Sequence, residues 1–212
     1  MNIKQVARLL NDIGVETVAT DTSLGPDVDY GVNYYMLKLN NETGKWEFLF
    51  MQRERQNSGG KNLIKSFDDE AEAIKYYYLF QLNPYFFNHY IQPFELNNKA
   101  INIGETNCKI EDLKAAFKRL KIDNTYYSFG REIKERSISL EQVNKNKSYV
   151  IFNGENYKQV FKTPIMDNWL AYYAMYKFVY YLYLLDLHSN RLLNNKEISK
   201  IFTDDDYDVV LS

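Results

Sequence analysis

Residues 40–50 read Asn40-Asn41-Glu42-Thr43-Gly44-Lys45-Trp46-Glu47-Phe48-Leu49-Phe50. The first five form a polar turn ending in glycine, a composition that reverses a chain between antiparallel strands. The strand that follows alternates, with Trp46, Phe48 and Phe50 on one face. Upstream, residues 30–39 favour the partner strand. Tyr30, Val32, Tyr34 and Met36 share one face and Lys38 breaks it, while Tyr35, Leu37 and Leu39 make the other face apolar too, as in a strand covered on both sides. Downstream, Gly59-Gly60 closes a second turn and Leu63-Ile64 begin a third strand. This meander is flanked by helices. Ile3, Val6, Leu10 and Ile13 make one helical stripe that Gly14 stops, with the polar loop Asp21–Asp29 after it. Ser66-Phe67-Asp68-Asp69-Glu70 opens a second helix, its acids placed where the helix dipole favours them, running to Pro84.

The order then repeats. Residues 84–108, aromatic and then polar, read as a packed connection. At an offset of 107, Ile3, Val6, Leu10, Ile13 and Val15 fall on Ile110, Leu113, Phe117, Leu120 and Ile122. At 101, Phe48, Leu49, Phe50, Met51 and Glu54 fall on Tyr149, Val150, Ile151, Phe152 and Glu155; at 99, the helix from Asp68 falls on one from Asp167. Strands are expected at 134–141, 147–152 and 157–162, with Asn153-Gly154 as a hairpin signal. The expected class is α+β: two diverged helix–antiparallel β-meander–helix units packed together, 1–106 and 107–212, with Trp169–Leu185 as the central packing helix. The competing reading is chance alternation of α and β segments. The second unit ends in a stretch, Asn194–Ser212, that holds a short helix candidate and an acidic tail, Asp204-Asp205-Asp206 and Asp208, with Val209-Val210-Leu211 as a candidate edge strand.

Composition bounds the function. Of 212 residues 16% are aromatic, with 19 Tyr and 13 Phe, enough to serve both packing and recognition. Net charge is −2; residues 1–106 carry 10 Lys and Arg against 14 Asp and Glu. No basic stripe points to nucleic acid. The run Trp169–Leu185 holds Lys177 and six Tyr, which argues against a membrane span. The single Cys108 permits no internal disulfide, and residues 1–15 read as an amphipathic helix rather than a secretion signal, so a reducing, cytoplasmic setting is expected.

Chemistry is sparse. Two histidines, His89 and His188, and one cysteine give no metal-ligand spacing; the Asp204–Asp208 run lacks the Gly turn and distal Glu of a calcium loop. No metal or other cofactor is expected. Gly59-Gly60 is followed by Lys61-Asn62, not by the Lys-Ser/Thr of a phosphate loop, and no Gly-x-Ser-x-Gly elbow occurs. Cys108 would act as a nucleophile only with a histidine folded beside it. Arg53-Glu54-Arg55 reads either as surface ion pairing or as an anchor for a partner's carboxylate or phosphate.

Trp46-Glu47-Phe48-Leu49-Phe50, Arg53-Glu54-Arg55 and the run from Lys65 to Tyr77 together resemble small immunity proteins of bacterial polymorphic toxin systems. In those, a Trp-bearing strand and a Glu-Arg turn lead into Phe-x-x-Glu-x-x-Ala and an aromatic helix. The likeness covers about 40 residues of the first half; in the second, Asn156 stands where the Arg after Glu155 would be. The resemblance implies a cytoplasmic, non-catalytic protein that binds and blocks a cognate toxin domain. Trp46, Arg53, Glu54 and Arg55, with the acidic Asp204, Asp205, Asp206 and Asp208, are then the candidate partner-binding residues. Two other classes stand beside it: an enzyme with a cleft near Cys108, and a structural or regulatory homodimer paired through meander edges.

Overall fold

The computed structural model describes residues 1–27, 32–52, 60–130 and 132–211. The class is α+β. By contacts the chain divides between Leu82 and Asn83 into two compact units, Met1–Leu82 and Asn83–Ser212, whereas the sequence reading divides it at 106/107.

The first unit opens with α1 (Ile3–Asp12), started by a capping box in which Gln5 N donates to Asn2 Oδ1 at 2.9 Å. Its stripe of Ile3, Val6, Leu9 and Leu10 is buried. Gly14 then takes φ +83°, the left-handed turn that ends a helix. Five strands follow: β1 (Val18–Ala19), β2 (Ser23–Gly25), β3 (Tyr34–Leu39), β4 (Trp46–Gln52) and β5 (Gly60–Phe67), antiparallel and in chain order. The predicted meander is therefore present but extended by β1 and β2, too short to show an alternation. The 40–44 turn forms as expected: Asn40 Oδ1 accepts from Glu42 N at 3.0 Å, and Gly44 sits at φ +70°. Leu39, Leu37 and Tyr35 lie opposite Trp46, Phe48 and Phe50 and so share one face. Helix α2 (Glu70–Phe86) lays rings on it, Phe48 meeting Tyr76 at 5.2 Å and Phe80 at 4.8 Å. The helix is capped by Asp69, whose Oδ1 accepts from Glu72 N at 2.7 Å, rather than from Ser66, which still belongs to β5.

The second unit begins inside α2. Pro84, read as a stop, is crossed: the helix runs to Phe86, passes through a π turn (Phe87–Ile91) and continues as α3 (Gln92–Asn97). Pro93 lies in the first turn of α3, where a proline's missing N–H costs least. Then come α4 (Ile110–Leu120), β6 (Tyr127–Phe129), β7 (Ser137–Asn144), β8 (Lys147–Asn153), β9 (Gln159–Lys162), β10 (Met166–Asp167), α5 (Asn168–Asn194) and α6 (Asp204–Leu211). β7 and β8 form a hairpin, and β9 and β10 pair in turn along the other edge of β8. The predicted antiparallel meander is present as β7–β8–β9, and it is extended by β10 and by β6, which adds to β7 in parallel. The acidic tail is corrected. It is helical, and Val209–Leu211 do not form a strand.

A polar seam crosses this sheet. Asn153 Nδ2 donates to Ser139 Oγ at 2.7 Å, the Ser139 and Ser128 hydroxyls meet at 2.8 Å, and Ser128 Oγ donates to Glu132 O at 2.5 Å. Asn153, Ser139 and Ser128 are all buried, so burial is tolerated because every donor in the series has an acceptor. Among the described residues no helix is long and apolar enough to cross a membrane.

Candidate functional site

In the first unit the conspicuous surface is β5. Among the described residues it is an edge strand, paired only with β4, and residues 61–66 are all exposed. The register shifts between Phe48 and Leu49, so that Lys65 faces Phe48, Leu63 faces Leu49, and Ile64 is left over as a bulge. Leu63 and Ile64 are 57% and 52% exposed. The two lysines of the strand are engaged elsewhere: Lys61 Nζ lies 3.1 Å from Glu47 Oε2, and Lys65 Nζ lies over the Phe67 and Tyr76 rings at 5.0 and 4.6 Å. Asn40 and Lys61 hydrogen-bond the Glu47 carboxyl and hold its pKa below the usual range. Of the predicted contact residues, Arg53, Glu54 and Arg55 lie outside the described residues; in sequence they join β4 to β5. Trp46 is 5% exposed and serves the covered face of the sheet, opposite Leu39 and Phe67, so it offers a partner little surface.

The predicted acids at 204–208 sit on α6 in the second unit. Asp206 is buried and caps the helix start, its Oδ2 accepting from Thr203 N at 2.9 Å and Thr203 Oγ1 at 3.0 Å. Asp204 turns onto the loop after β8: its Oδ2 accepts from Glu155 N at 2.7 Å, and its Oδ1 lies 3.9 Å from Arg136 Nε. Arg136 also pairs with Glu155 through Nη2. Asp205 is exposed and Asp208 half-buried. The four acids are thus divided between two jobs inside the chain and a partly open face. Gly154 makes the Asp204 contact feasible, since a Cβ there would lie 2.5 Å from Asp204 Cγ and 2.7 Å from Val160 Cγ2. Arg136, Asn156 and Tyr157 adopt φ of +48°, +54° and +60°, a concentration of left-handed non-glycine residues in one loop pair.

Sequence reasoning missed the neighbouring group. Asp186 on α5 accepts from Tyr126 OH at 2.6 Å through Oδ2 and from Tyr207 OH at 3.3 Å through Oδ1. Burial, and then the adjacent carboxylate, push both phenols well above their ordinary range, so they remain donors. A cavity of about 210 Å³ opens beside them, walled also by Glu135, Arg136 and Leu182. The signal for α6 was present in the sequence: Thr203-x-x-Asp206 is a capping pattern, and Tyr207, Val210 and Leu211 have i, i+3, i+4 spacing. Nothing local could have brought Tyr126 to Asp186, 60 residues apart.

The Cys108 group is not assembled as a nucleophile. Burial, with Asp112 nearby, pushes its thiol up to about 11. Its sulfur faces Lys109 O at 3.7 Å, while His89 Nδ1 meets Tyr85 O and His188 Nδ1 meets Arg191. Burial, with Arg191, lowers His188 to about 4. Among the described residues no group of three or more His, Cys, Asp or Glu is placed to hold a metal ion. No family model, curated protein or solved structure matches this chain.

Proposed function

We propose that this chain is a non-catalytic immunity-type protein that binds and neutralises a bacterial toxin domain in the cytoplasm. The resemblance at residues 46–77 motivates the reading, and the β5 edge carries it. Long edge strands are ordinarily kept short, covered or guarded by charge, because their unpaired N–H and C=O groups template further pairing. Here an eight-residue edge presents Leu63 and Ile64 side by side, with both of its lysines drawn off to other groups. Such an edge suits a partner that adds a strand and seats apolar side chains against it. Arg53-Glu54-Arg55, which follow β4 directly in sequence, would supply charged contacts to the same partner. A thiol held near 11 also weighs against the Cys108 enzyme.

The test is co-expression with the toxin domain encoded beside this gene. The full chain should restore growth and co-elute with that domain as a stable complex. Leu63→Asp with Ile64→Asp should weaken the complex by about tenfold or more while leaving the circular dichroism unchanged. Absence of both rescue and complex would overturn the reading. The same edge favours one alternative, self-pairing through β5. A dimer in sedimentation that the same double substitution converts to monomer would establish that instead.

A further inference from the structure

The cavity beside Asp186 has a chemistry of its own, independent of the toxin reading. Two tyrosine hydroxyls fix the Asp186 carboxylate without neutralising it, and among the described residues no cation lies within ion-pair distance of it. Glu135 adds a second carboxylate to the wall. Arg136 is the one cation lining the space among the described residues; it pairs with Glu155, lies 3.9 Å from Asp204 Oδ1, and its guanidinium sits 5.8 Å from the centre of the Tyr207 ring. Lys134, two residues before it in sequence, is tied to Glu132 and Asn124 O. The wall therefore keeps an excess of negative charge, and an incoming anion would have to compete with two carboxylates for Arg136.

The remaining wall is mostly aromatic and apolar: Tyr126, Tyr207 and Leu182, with Thr125 beside them. A carboxylate beside aromatic and aliphatic side chains suits an organic cation, because Asp186 supplies the opposing charge while the rings and the leucine accommodate an alkyl stem. A hard metal ion would want six or more oxygen ligands, which two carboxylates do not supply. About 210 Å³ admits a group of a few heavy atoms, the size of a side-chain tip. We propose that this cavity is a binding site for an alkylammonium or alkylguanidinium group, held by Asp186 and walled by Tyr126 and Tyr207. The group has two sources: a free small amine, or a Lys or Arg side chain of another protein.

The experiment titrates the full chain, by NMR or calorimetry, with n-butylammonium, n-butylguanidinium, n-butanol and butyrate. Acetylated, amidated Gly-Lys-Gly and Gly-Arg-Gly peptides serve as the protein-side-chain arm. Saturable binding of the cations, at least about tenfold tighter than butanol or butyrate, is the expected result. Asp186→Asn should reduce it about tenfold or more and Tyr126→Phe by less. Binding by the peptides assigns the site to side-chain recognition; binding by the free amines alone assigns it to small molecules; either supports the site. Equal binding of butanol or butyrate, unchanged affinity in a folded Asp186→Asn chain, or no saturable binding of any cation would overturn it. The comparison of charged with neutral probes uses the natural sequence, so it holds even if Asp186→Asn does not fold.

Discussion

Replacing Gly154 with alanine tests whether α6 is locked to the sheet through Asp204. Gly154 has φ −85°, so it is required by space rather than by backbone conformation. The new methyl would stand 2.5 Å from Asp204 Cγ and 2.7 Å from Val160 Cγ2. Helix α6 cannot simply back away, since Tyr207, Val210 and Leu211 are buried. The carboxylate must leave Glu155 N instead, losing a charge-assisted hydrogen bond worth about 1.5–3 kcal/mol. Residual crowding at Val160 adds about 1–3 kcal/mol. Gly154→Ala should therefore destabilise the second unit by about 2.5–6 kcal/mol. In an Asp204→Ala background only the Val160 contact remains, and the same change should cost about 1–3 kcal/mol. Urea unfolding of the four chains of the cycle measures the coupling, with Trp46→Phe throughout so that Trp169 reports the second unit alone. A cost below about 1 kcal/mol, or one that is equal in both backgrounds, would refute the reasoning.

Two further predictions concern the second unit. Ser139→Val removes the acceptor for Asn153 Nδ2 and the hydroxyl that meets Ser128, and should lower stability by about 1–3 kcal/mol in urea, with the loss reduced when Asn153 is also made apolar. Burial raises Glu95 to about 7, with Tyr173 and Lys177 partly offsetting it, so the folded chain binds a proton there that the unfolded chain has released. Stability should fall as pH rises from about 4.5 to 7, by on the order of 1–2 kcal/mol once solvent screening of a half-buried group is allowed for. Glu95→Gln should remove that decline in urea midpoints measured against pH, and an unchanged profile would count against it. His188, lowered to about 4, acts in the opposite sense: its contribution is complete above about 6.5 and is lost as pH falls towards 4.

The β4 and β8 strands were legible because their alternation is local: the 101-residue offset carries the ends of β4 onto those of β8. Helices α1 and α4 were legible by their apolar stripes, and the end of α1 by Gly14. What escaped is non-local. β6 is three residues long, and its parallel pairing with Ile138–Leu140 depends on a partner that no turn chemistry specifies. Pro84 obeyed a local rule that the buried Leu82, Phe86 and Ile91 on either side override. The acids of α6 were read as solvated because charge runs usually are, although Thr203 and the spacing of Tyr207, Val210 and Leu211 already encoded a capped helix. Trp46 was legible as a strand residue; its burial, beside Phe67 where that ring meets Tyr76 of α2, could not be read from the alternation alone.

The Asn153–Ser139–Ser128–Glu132 series has a direction, amide to hydroxyl to hydroxyl to carbonyl, and it spans three strands. Apolar faces tolerate sliding, because one branched side chain substitutes for another. A one-step slip of β6 or β8 against β7 would strand an amide or a hydroxyl beside hydrocarbon. The seam thus acts as an indexing pin, and descendants of this chain should be free to trade its leucines and phenylalanines while changing these three side chains only in concert.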